Sequence, residues 1–187
     1  MGVSTVAQLI AKGKAENKYN NAGISSDPQW LDFFNDALRD LVDDLNIVKA
    51  TTLSFVSGTR EYTLPTDYYH LILMFDSSNR PIVKRRNYNQ EYPAGYWIFN
   101  RGSSYVIDMH NFTSSATYNY TYQAYPTTLV ETSDYPEVPS VGERALIYYA
   151  LSKALKNQNQ VGQAMEMEKL YEQERLKIRN AAARGVG

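Results

Sequence analysis

The spacing of apolar positions changes twice along the chain, from helical to alternating and back to helical. Residues 4–18 predict a first helix, capped by Ser4 or Thr5, with Val6, Leu9, Ile10 and Gly13 on one narrow face. The run Asn20–Ser26 is a loop by composition. Asp27-Pro28 opens a second helix, Asp27 as N-cap and Pro28 at N1, where its missing N–H costs nothing. Trp30, Phe34, Ala37, Leu38, Leu41, Val42 and Leu45 make its apolar face, and Asp32, Asn35, Asp36, Arg39, Asp40, Asp43 and Asp44 fill the other side. Asn46 terminates it.

From Thr51 the period is two. Leu53 and Phe55 alternate with small polar residues, Ser57-Gly58 turns, and Tyr62 and Leu64 continue the alternation. Tyr68–Phe75 is a hydrophobic strand, Asp76–Asn79 a turn, and Pro81 begins the return. Residues 84–95 are polar, basic and tyrosine-rich and predict a long loop. Tyr96–Asn100 and Tyr105–Asp108 flank a small-residue turn, which is a hairpin signal. The most regular alternation is Tyr118, Tyr120, Tyr122 and Ala124 against Asn119, Thr121 and Gln123.

Asp134-Tyr-Pro-Glu-Val-Pro139 forbids regular helix, because each proline lacks an N–H and biases its predecessor toward extended geometry. Ser140 and Glu143 then read as a capping box. A helix follows over residues 141–157, with Leu146, Tyr149, Ala150, Lys153 and Ala154 at helical spacing. It breaks across residues 157–162. The last helix carries Ala164, Met167, Leu170, Tyr171, Glu174 and Ile178, its acidic residues preceding its basic ones, which suits the helix dipole. The fold class is α+β: a helical bundle from residues 1–50 and 136–187, with an inserted antiparallel β domain, sandwich- or barrel-like, over 51–135. In that arrangement the connector anchors the C-terminal helical pair onto the N-terminal pair, and the strands project as a separate lobe.

Composition narrows function without supplying it. The 187 residues are 43% hydrophobic and 21% charged with net charge −1, which indicates neither disorder nor a polyanion-binding surface. The absence of cysteine excludes disulfides and thiolate metal sites. No signal peptide and no apolar run of membrane-spanning length is visible, so the expectation is a soluble protein made in the cytoplasm. The outlier is tyrosine, 16 residues against 6 phenylalanines and 2 tryptophans.

The inventory for catalysis is poor. His70 and His110 lack the spacing of a metal site, and no phosphate-binding or nucleophile motif occurs. Asp40, Asp43 and Asp44 read as a solvated helix face, with a divalent-cation site as the weaker alternative. Lys84, Arg85 and Arg86, interleaved with Tyr88, Tyr92, Tyr96 and Trp97, fit either a stacking nucleic-acid surface or a basic loop beside sheet aromatics. Tyr118, Tyr120 and Tyr122 share one strand face, which is a core, a partner surface or an aromatic strip for carbohydrate or peptide.

The chain resembles the tailed-bacteriophage head-to-tail adaptor family, the connector or head-completion proteins that include tubular tail protein A. The resemblance rests on Trp30-Leu-Asp-Phe-Phe-Asn-Asp-Ala-Leu-Arg-Asp-Leu, Thr59-Arg-Glu-Tyr-Thr-Leu-Pro-Thr-Asp-Tyr-Tyr and Ile98-Phe-Asn-Arg. It continues in Tyr120-Thr-Tyr-Gln-Ala-Tyr-Pro and in Asp134-Tyr-Pro-Glu-Val-Pro before the helix from Ala145. It implies a virion protein of the neck, assembled in the host cytoplasm: a homo-oligomeric ring, typically dodecameric, between the portal protein and a tail or nozzle protein. Genomic DNA passes through such a ring. It implies no catalysis, no cofactor and no membrane. Because C-terminal segments of such adaptors reach the portal, it nominates Arg175, Lys177, Arg179 and Arg184 as portal contacts. Lys84, Arg85, Arg86, Tyr88 and Tyr92 become candidates for a β-domain interface or the lumen.

Overall fold

Gly13 fixes where the first helix, α1 (Val6–Glu16), can lie: a Cβ there would sit 2.6 Å from Cη2 of Trp30. Val6, Leu9, Ile10 and Gly13 are its buried positions, the face that the spacing predicts. The structure, a computed structural model, describes residues 3–16, 26–85 and 94–183. It comprises helices and antiparallel sheets, an α+β fold. The chain divides into two compact units, Met1–Asn46 with Pro126–Gly187, and Ile47–Tyr125. Residues 47–50 therefore go with the strands and 126–135 with the helices, whereas the sequence places those boundaries at 50 and 135.

In the helical unit, α2 (Asp27–Asp40) starts one residue earlier than expected. Ser26 occupies the N-cap and Asp27 lies inside the first turn. Trp30, Phe34, Ala37 and Leu38 are buried. Leu41 interrupts the helix at φ −87°, ψ 0°, a short α3 (Val42–Leu45) follows, and Asn46 ends it in the left-handed region at φ 49°. Asparagine tolerates that conformation better than most residues. A 3-10 turn (Ser140–Gly142) leads into α4 (Glu143–Asn157), and Asn159 at φ 59° divides α4 from α5 (Val161–Ala183). The helix α4 packs against α1, α2 and α5 and buries nine of its fifteen residues, so it is the centre of this unit. Ala145, Ala150 and Ala154 among them let neighbouring helices approach closely.

The capping box is corrected. Gly142 stands at the N-cap of α4 without a side-chain cap hydrogen bond. Glu143 instead accepts from the backbone nitrogen of Ser4 (2.7 Å), from Ser4 Oγ (2.9 Å) and from Lys12 Nζ (2.7 Å). The extra 3-10 turn rotates the carboxylate away from Ser140 and onto the start of α1.

The strand unit holds β1 (Val48–Phe55), β2 (Glu61–Thr63), β3 (Tyr68–Phe75), β4 (Gly95–Arg101), β5 (Ser104–His110) and β6 (Ala116–Ala124). They form two three-stranded antiparallel sheets, ordered β1-β6-β3 and β2-β5-β4. The expected hairpin is β4–β5, closing on Arg101 opposite Ser104, with Gly102 at φ 67° in its turn. Asp76 closes the turn after β3, accepting from the backbone nitrogens of Ser78 (2.8 Å) and Arg80 (2.9 Å) while Asn79 takes φ 59°. Both sheets feed one apolar cluster, from Leu53 and Phe55 through Met74, Ile107 and Met109 to the tyrosines of β6.

Candidate interaction surfaces

The tyrosine stripe faces inward. Tyr118, Tyr120 and Tyr122 are each at least 94% buried, since alternation along β6 sends every second side chain to the core face. Tyr68 stacks on Tyr122 at 6.0 Å, and the Tyr122 hydroxyl donates to Asp67 at 3.0 Å. Burial pushes Tyr96, Tyr120 and Tyr122 up to about 12. These rings are core, and no aromatic strip for a carbohydrate or peptide is left on that face.

The basic stretch is only partly within the described residues. Lys84 is exposed and bridges in parallel to Tyr96, and the backbone nitrogen of Arg85 donates to the Tyr96 carbonyl at 2.8 Å. The Arg85 guanidinium reaches the carbonyl of Ala94 at 3.3 Å. Arg86, Tyr88 and Tyr92 lie outside the described residues, as does Arg184. His70 is exposed on β3 and His110 half-buried at the end of β5. No group of three metal-ligating side chains occurs among the described residues.

The C-terminal cations are engaged within the chain. Asp44, expected on a solvated face, is 4% exposed. It takes a guanidinium hydrogen bond from Arg175 and another from Arg179 (2.8 Å). Asp44 holds Arg175 above the usual arginine range, against the opposing effect of burial. The Tyr171 hydroxyl donates to Asp40, and burial together with that carboxylate raises the phenol far above its ordinary value. Lys177 pairs with the mostly buried Glu174 at 2.7 Å. Arg175 is a clamp between α3 and α5, while Lys177 and Arg179 keep more than half of their side chains in solvent.

Among its exposed polar residues the helical unit also displays apolar ones, on its connector and on α5. The connector from Pro126 to Pro139 is pinned at both sides. Asn35 donates to the Leu129 carbonyl (2.9 Å) and accepts from its nitrogen (2.8 Å). The first backbone nitrogens of α1, Val6 and Ala7, donate to the carbonyls of Asp134 (2.9 Å) and Thr132 (2.8 Å). Those donors have no partner inside their own helix, so the connector serves as the cap. The Asp134 carboxylate gathers the nitrogens of Val130 and Glu131, which hold it below the usual carboxylate range. Leu129 and Val138 are buried beneath, and Val130 (74% exposed) and Tyr135 (65% exposed) project beside a shallow cavity of about 430 Å³. Along α5, Val161, Met165 and Leu176 are exposed on the side away from Ala164, Tyr171 and Ile178. Neither surface was singled out from sequence. The available signals were the Leu129-Val130 pair in a polar connector, and apolar residues on both sides of the last helix.

No described helix is long and apolar enough to cross a membrane. Compared with known families, residues 4–186 match the model described as SU10 adaptor protein. No curated protein matches the chain.

Proposed function

Because the chain belongs to the SU10 adaptor protein family, a phage adaptor family, we propose that it is a structural virion protein that forms a ring joining the capsid portal to the tail. The match over residues 4–186 is the observation that carries this reading. The ring surrounds the DNA passage, is twelvefold, and serves as the platform for the next tail or nozzle protein, in the manner of tubular tail protein A. Its work is positional, so it needs rigid surfaces in place of a reaction. A head-to-tail interface repeated about an axis closes a ring with no cofactor.

The pinned connector supports the reading. A loop whose backbone is already ordered loses little conformational entropy on docking, and Val130 and Tyr135 supply buriable area at its tip. The exposed stripe of α5 is a second such surface, with Lys177 and Arg179 beside it and Arg184 beyond. In this reading the stripe, flanked by those cations, meets the portal. Lys84 and Arg85, with Arg86, Tyr88 and Tyr92, belong to the β-unit surface or to the lumen.

Sedimentation velocity of the purified chain, alone and with portal rings, tests the proposal. The expected result is a discrete species of about twelve copies, alone or on the portal. A chain that stays monomeric at high concentration with and without portal overturns it.

A further inference from the structure

The connector carries one sign of charge. Residues 126–139 hold Glu131, Asp134 and Glu137 and no cation. Asp134 and Glu137 accept backbone nitrogens of the connector itself, Glu137 from Thr127 at 2.8 Å, which orders the loop without neutralising it. None of the three carboxylates forms an ion pair among the described residues. Glu131 and Asp134 line the cavity of about 430 Å³ together with Val130 and Tyr135, so negative charge and exposed apolar area share one surface.

The strand unit presents the opposite combination. Pro81-Ile-Val-Lys-Arg85 holds two cations and no carboxylate. Val83 is 64% exposed, and Lys84 is exposed next to it. Lys84 has no carboxylate partner among the described residues. This stretch is also held in place by its backbone. The Ile82 nitrogen donates to the Met74 carbonyl (2.8 Å), the Tyr96 nitrogen to the Val83 carbonyl (3.2 Å), and the Arg85 nitrogen to the Tyr96 carbonyl (2.8 Å). Gly95 makes room for the Arg85 side chain, since a Cβ there would lie 2.5 Å from its Nε. Both surfaces are therefore ordered in advance and dock at little cost in backbone entropy.

We propose that the stretch Pro81–Arg85 of one copy docks on the connector of the next, with Val83 against Val130 and Tyr135 and Lys84 toward Glu131 and Asp134. The proposal rests on the adaptor reading and names the contact between neighbours in its ring. The occupant is a second copy because one chain carries both halves of the match: apolar with negative charge, and apolar with positive charge. A head-to-tail ring is built from such a pair of unlike surfaces. The cations of α4 and α5 are not the complement, because they are engaged within their own unit. Lys156 holds Glu168, Lys177 holds Glu174, and Arg175 and Arg179 hold Asp44. Opposite charges at such a contact select the partner and fix the register, and like charges brought together there oppose docking.

Charge reversal in the full chain tests this, read by sedimentation velocity alone and on portal rings. Lys84→Glu and Glu131→Lys should each lower ring formation at least about tenfold, with the melting temperature within about 2 °C of wild type. Mixed one to one, the two variants should recover rings. In the mixture the Lys84→Glu surface meets the Glu131→Lys surface, the unaltered halves meet each other, and every junction again joins opposite charges. Both substitutions in one chain should also recover rings. Recovery in that double variant but not in the mixture places the contact inside one chain and overturns the proposal. Loss in both single variants with no recovery in either arrangement assigns the surfaces to another protein, which overturns it too. Single variants that form rings as wild type overturn the contact and leave the adaptor reading standing. Wild-type chain that forms no ring, alone or on the portal, overturns the adaptor reading itself.

Discussion

The Glu143 carboxylate accepts the backbone N–H of Ser4 at 2.7 Å, joining residues 139 positions apart. It holds Ser4, the residue before the local capping box of α1, in which the Thr5 nitrogen donates to Gln8 Oε1 (3.0 Å) and the Gln8 nitrogen to Thr5 Oγ1 (3.3 Å), and it ties the first helix to the start of the central one. Burial on its own would raise the pKa of this group. The Lys12 ion pair and the Ser4 bonds outweigh burial and hold it below the usual carboxylate range. A depressed carboxylate stabilises the fold above its unfolded value, near 4.5, and loses that contribution as pH falls through the lower folded value. Glu143→Gln should therefore cost about 1–3 kcal/mol at pH 7, with the gap to wild type closing as pH drops below 4. Urea unfolding at a series of pH values checks this, and a gap independent of pH contradicts it.

Gly13→Ala gains helix propensity of about 1 kcal/mol but places a methyl 2.6 Å from the Trp30 ring. The overlap dominates, and a net loss of about 1–3 kcal/mol is expected. A higher melting temperature would show that α1 does not pack on Trp30.

Asp44→Asn removes the one buried carboxylate that receives both Arg175 and Arg179. Half-exposed Arg179 can turn back to water, so the loss should be about 3 kcal/mol, at the low end for a broken buried pair. Arg175→Met in that background should cost less than Arg175→Met alone. Additive losses would refute the clamp.

Tyrosine ionisation, followed by ultraviolet absorbance, should be split. Tyr96, Tyr120 and Tyr122, pushed up to about 12 by burial, should stay protonated through pH 11 in folded protein, and should ionise near 10 once the chain is unfolded. Ionisation of all three near pH 10 with the fold intact would place them on a surface.

Val130→Ser with Tyr135→Ser removes two exposed apolar side chains, so stability should change by no more than about 0.5 kcal/mol. Incorporation into particles should fall well beyond that. A variant that assembles as wild type removes the connector from the list of docking surfaces.

Much of the fold was legible because burial writes a period into sequence. The faces of α1 and α2, the alternation of β6 and the Gly102 hairpin follow from local spacing. So do the stops at Asn46 and near Asn159, where the left-handed backbone favours asparagine. What was not legible depended on partners distant in sequence. Glu143 matches a capping box with Ser140 three residues earlier, and only the packing of α1 against α4 sends it to Ser4. Asp44 looks like one more solvated aspartate until α5 brings two arginines to it. Asn35, on the polar side of α2, gives no sign that it will hold Leu129. The tyrosine stripe was ambiguous for a different reason: alternation says that one face is special, not whether core or partner covers it.

Cryo-electron microscopy of the assembled phage neck tests the central claim most directly. The account predicts a closed ring of this chain between portal and tail, surrounding the DNA passage, with both units fitting the density. A neck in which portal and tail meet directly, or in which this chain lies anywhere else in the particle, would contradict it.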